Sequence, residues 1–179
     1  MERIQLLKWL DRWLGTILVN SVPKPAMRPI DELREVLIIR PGGIGDAVLL
    51  APTLQSLKEA HPQANLDVLC ESRNSKVFEM IPAVRSIYCY DRLNEFRQVL
   101  TRAYDVIIDT EQWYRLSALV ARAIRSCLKV GFATNRRSRM FTHPVPYHAD
   151  SYETDVFAEL VRNPGLCQRT IPRPPFLCV

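Results

Sequence analysis

Four consecutive apolar residues, Val36-Leu37-Ile38-Ile39, run straight into a glycine-rich turn, Pro41-Gly42-Gly43-Ile44-Gly45-Asp46. A helical pattern follows to about Ala60, with Ala47, Leu50, Ala51, Leu54 and Leu57 on one face. A short β-branched run without alternation is the pattern of a strand buried on both faces. Such a strand needs helices on both sides of its sheet, so this segment already restricts the chain to an α/β architecture. Pro52 marks an expected kink or restart within the helix, and His61-Pro62 its end.

The alternation recurs downstream. Leu66–Cys70, Ser86–Tyr90, Asp105–Asp109 and Leu128–Phe132 read as strands. Ser75–Met80, Leu93–Arg102, Leu116–Arg125 and about Ser151 to Arg162 read as helices, the last after a basic loop of about 12 residues. Strands alternating with helices give βαβ units, right-handed crossovers and a parallel sheet. The expected fold is a Rossmann-like doubly wound parallel sheet of five or so strands, with the first strand central.

Ahead of this unit, Leu6, Leu7, Leu10, Trp13, Leu14, Ile17 and Leu18 repeat at helical spacing, which predicts an amphipathic helix over residues 2–19. Its apolar face can pack on the domain, on another chain or on a membrane surface. Prolines between Pro23 and Pro29 then break the helix. The resulting division is an amphipathic helix over 1–22, a linker over 23–34, a Rossmann-like domain over 35–165, and an interdomain linker over 166–179 that leads into the start of a second domain. With 179 residues, 47% hydrophobic and 24% charged, the chain suits one ordinary core, and disorder throughout is excluded. No run of about 18 apolar residues predicts a membrane span. Lys8, Asp11 and Arg12 interrupt the apolar stretch a signal peptide would need.

Charge is uneven. Arg115, Arg122, Arg125, Lys129, Arg136, Arg137 and Arg139 fall within a stretch, Arg115 to Ala149, that has no acidic residue. That stretch carries +7 against a chain total of +5, leaving −2 for the rest. A local excess of this kind attracts anions, whether nucleotide, phosphorylated lipid or nucleic acid; a solvated helix face with a basic loop is the plainer reading. Nucleic acid is disfavoured, because the stretch has no recognisable nucleic-acid-binding motif. Cys70, Cys89, Cys127, Cys167 and Cys178 have no metal-ligand spacing, so no metal site is expected and the thiols read as reduced and buried, as in a cytosolic protein.

Open α/β sheets bind ligands beyond the carboxyl ends of their strands, so the turn after strand one is the prime site. Gly42, Gly43 and Gly45 allow close backbone approach, and the helix start beyond them suits anions. Asp46 has two readings, an N-cap or a carboxylate base at the mouth of the site. The turn fits neither the dinucleotide fingerprint G-x-G-x-x-G nor the P-loop G-x-x-x-x-G-K-[ST], so hydride transfer and P-loop ATP hydrolysis lose ground. Arg73, after strand two, and Arg136, Arg137 and Arg139, after strand five, lie on the ligand side, where guanidinium groups can hold phosphate; solvated roles are the alternative. Asp109 and Glu111 read more simply as loop-turn or cap residues, His143 and His148 as loop residues. Trp113 and Tyr114 suit a sugar-stacking role, although core packing is favoured.

From Val36 onward, the residues VLIIRPGGIGDAVLLAPTLQSLKEAHPQANLDVLCE resemble the N-terminal half of family 9 glycosyltransferases, the ADP-heptose:lipopolysaccharide heptosyltransferases and their relatives. The resemblance continues through Val84–Tyr88, Tyr104–Asp109 and Lys129–Phe132, and covers roughly residues 35–165. The strand-R-x-G-G-I-G-D block is its specific part. The resemblance implies the N-terminal, acceptor-side half of a GT-B fold, an inverting and metal-independent transfer, and Asp46 as general base. It implies a nucleotide-sugar donor, ADP-heptose foremost, as co-substrate and no cofactor. The implied acceptor is a phosphorylated glycolipid, which would meet Gly42, Gly43, Gly45, Arg73, Arg136 and Arg137. A cytoplasmic protein is expected, with packing of residues 2–19 within the protein as the default and peripheral contact of that helix with the inner face of the bacterial inner membrane as the alternative. Without a donor-side domain the chain is expected to be inactive alone. The competing reading is a non-catalytic Rossmann-like module that binds an anion or a partner.

Overall fold

A computed structural model describes residues 23–168. The amphipathic helix expected over 2–19, and most of the expected tail linker, lie outside these residues. The described residues form one sheet of six parallel strands in the order β3-β2-β1-β4-β5-β6. In chain order the elements are β1 (Glu35–Arg40), α1 (Ile44–Ala60), β2 (Asn65–Cys70), α2 (Ser75–Glu79), β3 (Val84–Cys89), α3 (Leu93–Thr101), β4 (Ala103–Asp109), α4 (Arg115–Ala123), β5 (Arg125–Phe132), a 3-10 segment (Thr134–Met140), β6 (His143–Val145) and α5 (Glu153–Arg162).

The central strand explains the layering. Val36 and Ile38 enter a cluster with Leu50, Leu54, Phe78, Phe157 and Leu160, under α1, α2 and α5. Leu37 and Ile39 enter the opposite cluster with Val99, Ala118, Ala121 and Ile124, under α3 and α4. Val36 to Ile39 are thus all buried, alternately on two faces, which is why the run is continuously apolar.

The structure departs from the sequence expectation in three places. The helix after the turn starts at Ile44, not after Asp46, so Gly45 and Asp46 lie in its first turn. Pro52 sits inside one assigned helix with its ring buried, rather than dividing it in two. The stretch read as a basic loop holds a 3-10 segment and a sixth strand, His143–Val145, pairing parallel with Val130–Phe132. Three residues are too few for a hydropathy pattern, and Pro144 disguises them further; an edge position is where proline is tolerated in a sheet. Gly131 of β5 has a packing role. A Cβ there would lie 2.3 Å from Phe141 Cζ, so the ring closes directly over the backbone.

Candidate functional site

β1 connects to β2 on one side of the sheet while β4 lies on its other side, so the crevice beyond their carboxyl ends is the topological switch point. A cleft of about 370 Å³ opens there, lined by Arg40, Gly42, Gly43, Asp46, Glu111, Gln112, Trp113, Tyr114, Tyr147 and Glu153. A second concavity, about 420 Å³, is lined by Glu32, Arg34, Glu35, Gln63 and Asn65 at the opposite, amino ends of β1 and β2. Its charged groups are occupied by ion pairs, Arg34–Glu32 at 2.7 Å and Glu35–Arg85 at 2.7 Å. The crevice at the carboxyl ends is therefore the candidate site.

Arg40 is its foundation. It ends an otherwise apolar strand, on the face that packs against α5, and its guanidinium lies 5.4 Å from the Phe157 ring centroid. Although the side chain is buried, one terminal nitrogen donates to the Thr110 carbonyl at 2.8 Å and the other pairs with the Asp46 carboxylate. Its Nε has no hydrogen-bond partner among the described residues. Asp46 itself is 42% exposed, so its carboxylate meets the cleft while remaining fixed from below. The cap reading of Asp46 does not hold: Gly43 is the N-cap of α1, and Asp46 stands in the first turn beyond it.

The glycines divide their work. Gly42 stands at φ +103°, a conformation side-chain-bearing residues rarely adopt, and turns the chain from β1 toward α1. A Cβ on Gly43 would lie 3.4 Å from Asp46 Oδ2, an ordinary contact, so the turn packs closely beside the carboxylate without demanding glycine there. Gly45 faces open space. From the β2 side, Asn74 Nδ2 donates to the Arg40 and Gly42 carbonyls at 3.3 and 3.2 Å and holds the turn down.

Across the crevice, Glu111 is buried, and its Oε1 accepts the backbone N–H groups of Gln112, Trp113 and Tyr114 at 3.0, 2.9 and 3.3 Å. Burial pushes its carboxyl above the usual value, and the Trp113 N–H draws it back only in part. Asp109 and Glu111 are loop-forming residues, as read from sequence. Trp113 and Tyr114 are not core: they are 51% and 41% exposed, which overturns the core-packing reading.

The arginines separate. Arg73 is exposed and pairs with Glu71, which also accepts the Tyr90 hydroxyl. Arg136 is exposed at φ +64°. Arg137 is 0% exposed: it pairs with Asp109 Oδ2 at 2.6 Å and donates to the Glu111 carbonyl. A guanidinium so enclosed does not meet an acceptor phosphate directly, so the expected contact at Arg137 becomes a structural one. Lys129 also turns inward, and the other five basic residues of the stretch are partly or wholly exposed. None of Arg73, Arg136 and Arg137 lines the cleft. Sequence reasoning missed Arg40, Asn74, Gln112, Tyr147 and Glu153. Only Arg40 left a signal, as a lone charge closing an apolar strand. Among the described residues no cluster of three or more His, Cys, Asp or Glu is placed to hold a metal, and no helix is long and apolar enough to cross a membrane.

No protein-family model matches the chain. Among curated proteins, it is 24% identical over 122 residues to lipopolysaccharide heptosyltransferase 3 of Escherichia coli K12, covering 58% of this chain and 35% of that protein. Among solved structures, E. coli heptosyltransferase WaaC with ADP-2-deoxy-2-fluoro heptose superposes with a TM-score of 0.69 at 17% identity, over 79% of this chain and 51% of the other. E. coli ADP-heptose lps heptosyltransferase II gives 0.68 at 17% identity, over 81% and 46%. A glycosyl transferase family 9 structure from Veillonella parvula gives 0.67 at 13% identity, over 78% and 43%. The chain spans about a third of the length of its curated relatives and about half of these structures. Over that length it carries a heptosyltransferase-like domain, Rossmann-like in fold.

Proposed function

We propose that the chain is the acceptor-side half of a glycosyltransferase of lipopolysaccharide synthesis, with Asp46 as its general base. The observation that carries this reading is the Arg40–Asp46 pair: a carboxylate open to the cleft, held by a buried guanidinium at the switch point of the sheet. An acceptor hydroxyl becomes a better nucleophile as it loses its proton, and a carboxylate within hydrogen-bond reach can take that proton in the transition state. The hydroxyl oxygen bonds to the anomeric carbon of the donor sugar. The bond from that carbon to the diphosphate breaks, the nucleoside diphosphate leaves with the electron pair, and the proton goes to Asp46. Arg40 orients the carboxylate from below. ADP-heptose is the donor in this reading, in line with the sugar nucleotides named for the solved neighbours. A phosphorylated glycolipid is the acceptor, and exposed Arg73 and Arg136 are candidates for its phosphates beyond the cleft. Donor contacts belong to a second domain, and the cytoplasmic face of the membrane is the working place.

The test is Asp46→Asn in a chain that includes the donor-side domain, assayed for sugar transfer. Asn keeps the size and can still accept from Arg40, but cannot take a proton. Turnover should fall about 10²–10⁴-fold while the circular dichroism spectrum is retained. Turnover above about a tenth of wild type in a folded protein would remove the base assignment.

A further inference from the structure

The loop between β4 and α4 holds two large aromatic side chains in water while its backbone is fastened on every side. The Glu111 carboxylate takes the N–H groups of residues 112, 113 and 114, and Asp109 Oδ1 takes that of Glu111 at 3.1 Å. The carbonyls of Glu111, Gln112 and Trp113 accept from Arg137, Thr134 and Asn135, three donors on one short 3-10 segment. Within that segment Asn135 and Arg136 stand at φ +47° and +64°, conformations that non-glycine residues keep only where their surroundings over-determine them. The Trp113 ring meets Tyr147 edge-on at 5.6 Å, and Tyr147 meets the buried Phe132 edge-on at 5.2 Å, so ring contacts run from the cleft into the core.

Scattered exposed aromatics need no explanation, but an aromatic pair on a fully hydrogen-bonded loop at the mouth of a cleft is a preorganised surface. Its surroundings give the ligand's chemistry. Asp46, Gln112 and Glu153 line the same cleft, the Gln112 amide donating to the Glu153 carboxylate. A flat apolar face bordered by carboxylates and an amide complements a molecule with one apolar C–H face and a rim of hydroxyl groups. We propose that Trp113, backed by Tyr147, is the platform on which a pyranose ring of the acceptor lies, beside Asp46. This rests on the transferase reading above and names the ligand class of the same site. The 134–137 segment acts as the clasp that sets the height and tilt of the platform.

The experiment is a titration of the full chain followed by ¹H–¹⁵N spectra, with the methyl glycoside of a heptopyranose as probe. An open-chain heptitol and adenosine are the controls. The Trp113 indole N–H is assigned by its loss in Trp113→Phe. Saturable shifts of that indole and of the 111–114 amides are expected with the glycoside alone. Trp113→Ala should weaken binding about tenfold or more, the scale of truncating an aromatic anchor, while Trp113→Phe retains most of it. No saturable binding, binding unchanged in Trp113→Ala, equal response to the heptitol, preference for adenosine, or shifts that track protein concentration and so report self-association would each overturn the proposal. The variants' spectra report folding directly. The two assignments also fail separately. Transfer that needs Asp46, with an acceptor KM unmoved by Trp113→Phe and Trp113→Ala, would sink the platform alone. Glycoside binding at Trp113 with transfer indifferent to Asp46→Asn would sink the base alone.

Discussion

Lys129 is a cation enclosed by the fold, and its burial should be readable as a pH dependence of stability. Its side chain leaves β5 toward the end of α4, where Nζ donates to the Ala121 carbonyl at 2.7 Å and to the Ile124 carbonyl. These carbonyls lie at a helix C-terminus, where the last carbonyls lack intrahelical donors. Burial pushes the ammonium down from the usual 10.5 to about 8, and Arg122 pushes it the same way. Below about pH 8 the folded and unfolded chains both hold the proton, and the folded state bears the full penalty of enclosing a charge. Between about 8 and 10.5 the folded lysine is neutral while the unfolded one is still charged. The unfolded state then binds more protons, so unfolding free energy rises with pH across that window. The gap is worth about 3 kcal/mol.

Other buried groups oppose this trend. Burial raises the Cys70 thiol and the Tyr90 and Tyr104 hydroxyls, so the unfolded chain loses those protons first and stability falls as pH climbs. The comparison must therefore be a difference. Urea unfolding of wild type and Lys129→Met across the window isolates the lysine, because the opposing groups are common to both. Lost carbonyl hydrogen bonds add an offset that does not depend on pH, since a neutral amine still donates. Wild type should gain about 3 kcal/mol on the variant as pH climbs through the window. A flat difference would refute the reasoning and mean that Lys129 is solvated in the folded state.

Arg137→Ala should cost about 3–5 kcal/mol in urea unfolding, because it leaves the Asp109 carboxylate buried without its cation; pairing it with Asp109→Asn should recover part of the loss. For residues 2–19, the intact chain should float with anionic liposomes and a chain lacking 1–20 should not; equal recovery would place the apolar face of that segment against protein.

The sheet was legible because both of its signals are local. An unbroken apolar run reports burial on two faces, and alternation with helical periods reports parallel crossovers. Glycines ahead of Asp46 marked the turn for the same reason, since φ +103° at Gly42 constrains residue type at one position. What failed were statements about which way a side chain points. Arg136 and Arg137 are adjacent and identical, yet one is exposed and the other encloses its charge against Asp109, 28 residues away. No spacing rule encodes that distance. Trp113 was misjudged likewise: an aromatic beside a strand end is usually core, and only the clasp from 134–137 explains why this one faces water.

These long-range contacts share a geometry that bears on catalysis. Arg40 spans the switch point, with Asp46 on the β1 side and the Thr110 carbonyl on the β4 side. Thr110 returns the link, its N–H and its hydroxyl each donating to the Ile39 carbonyl at 3.0 Å. Arg137 makes the next crossing, from the segment after β5 to the end of β4 and the start of the aromatic loop. The carboxylate and the aromatic surface are therefore both fixed to the sheet, and to each other through it. An acceptor hydroxyl must sit within hydrogen-bond reach of its base, and small misplacements are expensive in rate. Two buried arginines, each bridging neighbouring strands, hold both sides of the crevice in register.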